Sequence, residues 1–181
     1  MPSILYKNIP IFAISDTHGA PFSIPKNTEI IIFAGDMGAY TLDETRAFLQ
    51  KLGQHPAPLK IFVPGNHDLV FDLSPKQALS LLPKGVVWLR GSMQYKGIRF
   101  CAAAAAPWLH QPVKIPENTD FLITHGPPKG ILDDEQGCAL LRQAIEENPP
   151  KFHIFGHIHQ AKGEWHDTDS GTRFMNVSFV D

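Results

Sequence analysis

The amino-acid sequence predicts an α/β domain, on two observations. Eight short apolar runs alternate with segments of helical pattern, and most of the runs are continuously apolar, as expected of strands covered on both faces. Five of the runs also lead directly into a cluster of Asp, Asn or His, and in open α/β sheets ligands gather beyond the carboxyl ends of the strands.

The expected strands cover residues 9–15, 29–34, 59–63, 86–89, 98–103, 120–124, 152–155 and 173–178. Three helices carry their own punctuation. Thr41 with Glu44 forms a capping box that opens a helix reaching Leu52. Ser74, with Pro75 at the first helical position and Gln77 after it, opens a second that reaches Leu82. The third runs from Cys138 to Glu147, puts Leu140, Leu141, Ala144 and Ile145 on one face, and stops before Pro149-Pro150. The alanine run 102–106 reads as part of a strand whose neighbours pack too closely for larger side chains.

A chain of 181 residues suffices for one domain with a real core, so residues 1–181 are expected to form a single unit. Its 19% of charged residues contain no block of one sign, and the net charge is −2. That excludes the electrostatic footprint of a protein that grips long nucleic acid, while a small nucleotide stays open. The apolar run near the N-terminus is interrupted too early for a signal peptide or a membrane span, which points to a cytoplasmic protein. Cys101 and Cys138 do not form a CxxC pair and are expected to be free, buried thiols.

The chemistry lies at the five strand ends: Asp16-Thr17-His18, Gly35-Asp36, Gly65-Asn66-His67-Asp68, His125 and Gly156-His157-Ile158-His159. Any one of these is weak, since Asp-x-His is common on surfaces and Gly-Asp is a common turn. All five in order, each closing a strand, point to one metal centre. The donors are imidazole, carboxylate and carboxamide without thiolate. That set suits manganese, iron, zinc, cobalt or nickel and argues against a structural zinc site. Glycines beside the donors let the backbone turn sharply and approach closely.

The other histidines, His55, His110, His153 and His166, read as loop or packing residues. Trp88, Trp108 and Trp165 read as core or rim. Lys129 and Lys162 follow two of the clusters, within reach of a phosphate oxygen, though lone lysines are more often solvated.

The ordered motifs Asp-x-His, Gly-Asp, Gly-Asn-His-Asp, His and Gly-His-x-His resemble the calcineurin-like metallophosphoesterase superfamily, from Ile11 to Ser178. Thr124-His125-Gly126-Pro127-Pro128, Gly137-Cys138 and the segment from His153 to His159 are similar to its metallophosphoesterase-domain-containing branch, related to class III cyclic nucleotide phosphodiesterases. The resemblance implies a four-layer αββα sandwich, with two mixed β-sheets flanked by helices and the metal site at the carboxyl ends of the strands. It implies two divalent ions, manganese foremost. Asp16, His18 and His159 would hold the first and Asn66, His125 and His157 the second, with Asp36 bridging. His67 would be the catalytic histidine, oriented by Asp68. The residues 102–112 depart from the branch, being short and alanine-rich where relatives carry a longer aromatic segment.

The expected activity is hydrolysis of a small phosphodiester, such as a cyclic nucleotide, by a hydroxide that bridges the two ions. The alternatives are a phosphomonoesterase of the same fold and a non-catalytic metal-binding scaffold. The expected partner is a small phosphate ester, with no long nucleic acid and no membrane, and the oligomeric state is left open.

Overall fold

A computed structural model describes residues 3–180. The first sheet has five strands in the spatial order β1 (Ser3–Tyr6), β2 (Ile9–Ile14), β3 (Ile30–Phe33), β4 (Leu59–Phe62) and β5 (Val86–Trp88). The second has six, in the order β10 (Gly163–His166), β11 (Arg173–Asn176), β9 (Phe152–Phe155), β8 (Phe121–Ile123), β7 (Ile98–Ala102) and β6 (Gly91–Tyr95). The inner strands of both sheets run parallel, while β1, β6 and β10 pair antiparallel at the edges. Parallel neighbours need crossovers. Helix α1 (Leu42–Gly53) crosses between β3 and β4, α2 (Val70–Leu73) and α3 (Pro75–Ser80) between β4 and β5, and α4 (Ala139–Glu147) between β8 and β9.

Successive residues of a strand face opposite ways, and this sorts the apolar runs into layers. Ile30, Ile32 and Ile61 of the first sheet meet Phe100, Phe121, Ile123 and Ile154 of the second in the central core. Their chain neighbours Ile31, Phe33 and Phe62 face outward against Leu49 and Leu52 of α1. On the far side, Leu122, Phe155 and Phe174 pack on Leu141, Ala144 and Ile145 of α4. The result is the expected helix–sheet–sheet–helix stack. Among the described residues, no helix is long and apolar enough to cross a membrane.

The expected capping box on α1 is present: Glu44 N–H donates to Thr41 Oγ1 at 3.2 Å, and Thr41 N–H donates to Glu44 Oε2 at 3.0 Å. Ser74 precedes α3 as expected but makes no side-chain cap bond, so Pro75 alone marks that start. The helix also ends at Ser80, short of Leu82. Three strands were not expected. β1 and β6 belong to two-residue hairpins, with Lys7-Asn8 and Lys96-Gly97 all at positive φ, the backbone that hairpin turns of this length demand. The alanine run is a correction: only Ala102 lies in β7, and residues 103–106 leave the sheet as irregular chain. Cys101 and Cys138 are free and buried.

His153 sits fully buried in β9, against the rings of Phe155 and Phe174. The Thr124 hydroxyl donates to Gly126 O at 2.7 Å. Its only proton is thereby used, so the His153 Nε2–H must donate to Thr124 Oγ1, 2.9 Å away. Nδ1 has no partner. Burial pushes this imidazole down to about 3, so the folded chain holds it neutral while the unfolded chain protonates it at ordinary pH. A depressed folded-state pKa contributes stability that is complete above the unfolded value near 6.5 and is lost as pH falls toward 3. Below pH 6.5 the loss approaches ~1.4 kcal/mol per pH unit. Urea unfolding in chelator at pH 7.5 and pH 5 should therefore show a smaller pH effect in His153→Gln than in the wild type. Equal effects would mean that His153 is not a source of acid sensitivity.

Candidate metal centre

The two sheets meet at one end through a parallel bridge between Ser15 and Ser178. Ser15 N–H donates to Val177 O at 3.1 Å, and Phe179 N–H donates back to Ser15 O at 2.9 Å. The bridge stands immediately before Asp16, so the carboxyl end of β2 is carried to the end of β11, where His157 N–H from the loop after β9 also reaches Asp16. Beyond β2 and β3 the two loops continue to pair, with Asp16 N–H on Gly35 O at 2.8 Å and His18 N–H on Asp36 O at 3.1 Å.

Asp16 is completely buried, and its two oxygens differ. Oδ2 accepts from the Ser15 hydroxyl at 2.5 Å and from His157 N–H at 3.0 Å, with the Ser178 hydroxyl at 2.9 Å. Oδ1 has no hydrogen-bond partner. It lies 3.4 Å from His159 Nε2, 3.9 Å from His125 Nε2 and 4.0 Å from His18 Nε2. Asp36 presents Oδ2 in the same way, 3.3 Å from His125 Nε2 and 3.8 Å from His18 Nε2, while its Oδ1 accepts the His67 N–H at 2.9 Å.

The donor atoms fall into two groups, Asp16 with His18 and His159, and Asp36 with His125 and His157, each with its ligand atoms within 4.8 Å of one another. Asn66 Oδ1 stands 3.0 Å from His125 Nε2, beside the second group. The structure thus brings together all seven residues that the sequence proposed as ligands. The fit to divalent ions rests on the orphaned Oδ1 of Asp16. A buried carboxylate oxygen left unpaired amid imidazole nitrogens is costly unless a cation completes it.

The electrostatics agree. Burial opposes a charge on His125, but the hydrogen bond and charge of Asp36, with the charge of Asp16, outweigh it and lift the imidazole to about 9. The cluster draws positive charge to where the nitrogens converge. His157 is pushed the other way, to about 4, by burial and then by the charge of His125, which leaves it a neutral donor. His125 Nδ1 lies 2.8 Å from Ala34 O, and that carbonyl fixes Nδ1 as the donor and turns Nε2 to the site.

Asp16, His18, Asp36 and His157 all adopt positive φ, between 43° and 70°. This region is unfavourable for residues with a side chain, at roughly 1–3 kcal/mol each, and its occurrence four times at one spot marks a functional site. The glycines make room for the crowding. A Cβ on Gly35, at φ +97°, would stand 2.5 Å from Gly65 N and 2.7 Å from His125 Nδ1. One on Gly156 would stand 2.1 Å from Asp16 Oδ2.

One expectation is corrected. Asp68 does not orient the His67 ring. Its oxygens accept backbone N–H bonds from Asp36 and Gly65 at 2.8 Å and from Met37 at 3.0 Å, clamping the loops after β3 and β4 together. Burial pushes this carboxyl up to about 6 against those bonds. His67 itself is exposed at the mouth, its ring 5.5 Å from that of His18 and edge-on to it. Sequence reasoning also missed Ser15 and Ser178, which hold Asp16 Oδ2, and Asn176, which donates to Ile158 O at 2.7 Å. Their only signal was position, small polar residues at the ends of β2 and β11. Lys129 is exposed, whereas Lys162 Nζ donates to Phe179 O at 3.1 Å.

A sequence profile described as calcineurin-like phosphoesterase matches residues 9–161. The chain is 30% identical over 212 residues to metallophosphoesterase domain-containing protein 1 of Homo sapiens, covering 91% of this chain and 64% of the relative. The Mus musculus protein of the same name gives the same figures, so the chain spans under two thirds of these relatives. A UPF0046 protein of Caenorhabditis elegans is 27% identical over 201 residues, covering 93% and 69%. In fold, the chain is similar to the crystal structure of a Thermus thermophilus protein, TT1561, with a TM-score of 0.63, 15% identity, and 92% and 87% of the two chains covered.

If the Ser178 hydroxyl steadies the aim of Asp16, Ser178→Ala should fold normally and bind divalent metal 10–100-fold more weakly, the usual cost of losing such a support. Calorimetric titration with manganese measures this. An unchanged affinity would show that Ser15 and the backbone suffice.

Proposed function

The chain belongs to the calcineurin-like phosphoesterase family, and from that premise we propose that it hydrolyses small phosphodiesters with two divalent ions, manganese foremost. The observation that carries the reading is the pair of buried carboxylates, Asp16 and Asp36, each aiming one oxygen at converging imidazoles. Asp16, His18 and His159 would hold one ion. Asp36, His125 and His157 would hold the other, with Asn66 at its side, and the 3.8 Å from Asp36 Oδ2 to His18 supports a bridging role for Asp36. Divalent ions so placed supply an acidified water and neutralise charge on the phosphoryl oxygens.

The rest of the work falls to the protein's own side chains. Asp68 and the glycine contacts hold the loops rigid, so the donors do not reorganise as charge develops. The exposed His67, tied through its backbone N–H to Asp36, would donate a hydrogen bond to a phosphoryl oxygen and a proton to the leaving oxygen. The diester preference is supported by the makeup of the two donor groups, which contain no lysine or arginine to meet the extra charge of a monoester, and by Lys162, which donates to Phe179 O. The net charge of −2 gives no general attraction to a polyanion.

Metal-reconstituted protein should hold close to two ions per chain by elemental analysis and lose its activity on chelation. His67→Ala should keep both ions yet turn over 10²–10⁴-fold more slowly, and the loss should shrink for esters with acidic leaving groups. Activity that survives full chelation would sink the reading.

Under one metal condition, catalytic efficiency should be highest for a small diester, lower for the matching monoester and lowest for single-stranded nucleic acid. A tenfold advantage for the monoester or the polymer would overturn the diester preference alone.

A further inference from the structure

A cleft of about 580 Å³ opens between the neighbouring edges of the two sheets, where β5 leads into β6 and where the chain leaves β7. Gly65, the residue before Asn66, lines it. So do Ala102, Ala103, Ala104 and Ala106. Those alanines therefore shape a cavity, and the same chain continues to the metal site. Ala105 O accepts N–H bonds from His125 at 3.2 Å and Gly126 at 2.8 Å.

Two tryptophans border the cleft, and both are held in place. Trp88 packs edge-on against Phe71 at 4.8 Å, and the Arg90 guanidinium stands 4.6 Å from its ring centre. Trp108 is half exposed, 49%, yet its indole N–H donates to Gln136 O at 2.9 Å. The next residue, Leu109, donates its N–H to Cys138 Sγ at 3.3 Å. A large aromatic surface kept partly in water and held by a hydrogen bond suits a platform for a flat ligand group.

The lining charges lean one way. Arg90 and Lys114 contribute two cations and His110 an imidazole, against the single carboxylate of Asp72. Among the described residues neither Arg90 nor Lys114 has a carboxylate partner.

We infer that this cleft is the substituent pocket of the proposed phosphodiesterase site, and that it takes an aromatic ester group bearing a negative charge. The ring lies over the alanine-lined floor between the tryptophans, and Arg90 and Lys114 meet the charge. The inference rests on the phosphoesterase reading for its reaction and on the cleft for its specificity.

The test compares ethyl 4-carboxyphenyl phosphate with ethyl 4-carbamoylphenyl phosphate on the manganese-loaded protein. The two differ mainly in charge. The wild type should favour the carboxylate at least tenfold in kcat/KM, mostly through KM. Arg90→Ala with Lys114→Ala should cut that preference below twofold. Ala104→Phe, at an exposed position, should raise KM for both esters at least fivefold with little change in kcat. Equal efficiency on the two esters in the wild type, or a preference that survives the double substitution, overturns the inference. If the wild type hydrolyses no phosphate ester at all, the phosphoesterase reading fails and calorimetry with 2-naphthoate decides the cleft. One-to-one binding lost in the double variant then supports an aromatic-anion pocket, and no binding, or binding that survives the double substitution, overturns it.

Discussion

The bridge between Ser15 and Ser178 is the contact on which the site depends. Two stacked sheets bury their shared face with no need to meet at either end, and their strand ends could lie apart. The bridge joins the end of β2 to the end of β11, so the candidate ligands carried by the first sheet, Asp16, His18, Asp36 and Asn66, face those of the second, His125, His157 and His159. It also delivers two hydroxyls to one oxygen of Asp16. With that oxygen occupied, the other is the only one free to receive a cation. At the opposite end, Asp120 of the second sheet takes hydrogen bonds from Tyr6 of β1 and from Arg99 N–H, with Lys7 and Lys151 close by. The stack is thus fastened at both ends, and only the end with unpaired donors is left for chemistry.

That arrangement explains why so much of the site was legible in the sequence. Parallel strands all deliver their carboxyl ends to one side of a sheet, so a polar cluster after an apolar run is already a statement about position. Seven candidate ligands at five such ends converge for that reason. The inner strands were legible because burial on both faces leaves no polar alternation to hide them. The edge strands β1, β6 and β10 were not. An edge is half solvated, and runs such as Gly91-Ser92-Met93-Gln94-Tyr95 read as loop unless the two-residue turn that follows is noticed.

The side chains that support the ligands were less legible, for a different reason. Asp68 stands next to His67 in the chain and was expected to serve it, but sequence proximity says nothing about which backbone groups lie nearby in space. Its carboxylate reaches three N–H groups on two loops, two of which lie more than 30 residues away in sequence. Ser178 is 162 residues from the carboxylate beside it. The four left-handed backbones are similarly invisible, since Asp and His carry no mark of the φ they will adopt. Left to themselves those residues would relax. They are held by the loop-to-loop bonds beyond β2 and β3 and by the Asp68 clamp, so local strain is maintained by contacts distant in sequence.

The alanine run shows where such a fold can vary without disturbing its metal end. Ligand positions are fixed by strand termini, and strand termini are fixed by packing in three apolar layers. A change in any of them would propagate to the candidate ligands. The chain that leaves β7 is under no such constraint. It touches the site through Ala105 O and through Pro107 against Gly126, and its remaining side chains face a cleft. Length and side-chain size there would alter the cleft while leaving every proposed ligand in place. On the proposed reading, a chain that keeps the donor motifs yet differs between residues 102 and 112 would differ in the part that selects a substrate, not in the part that would cleave it.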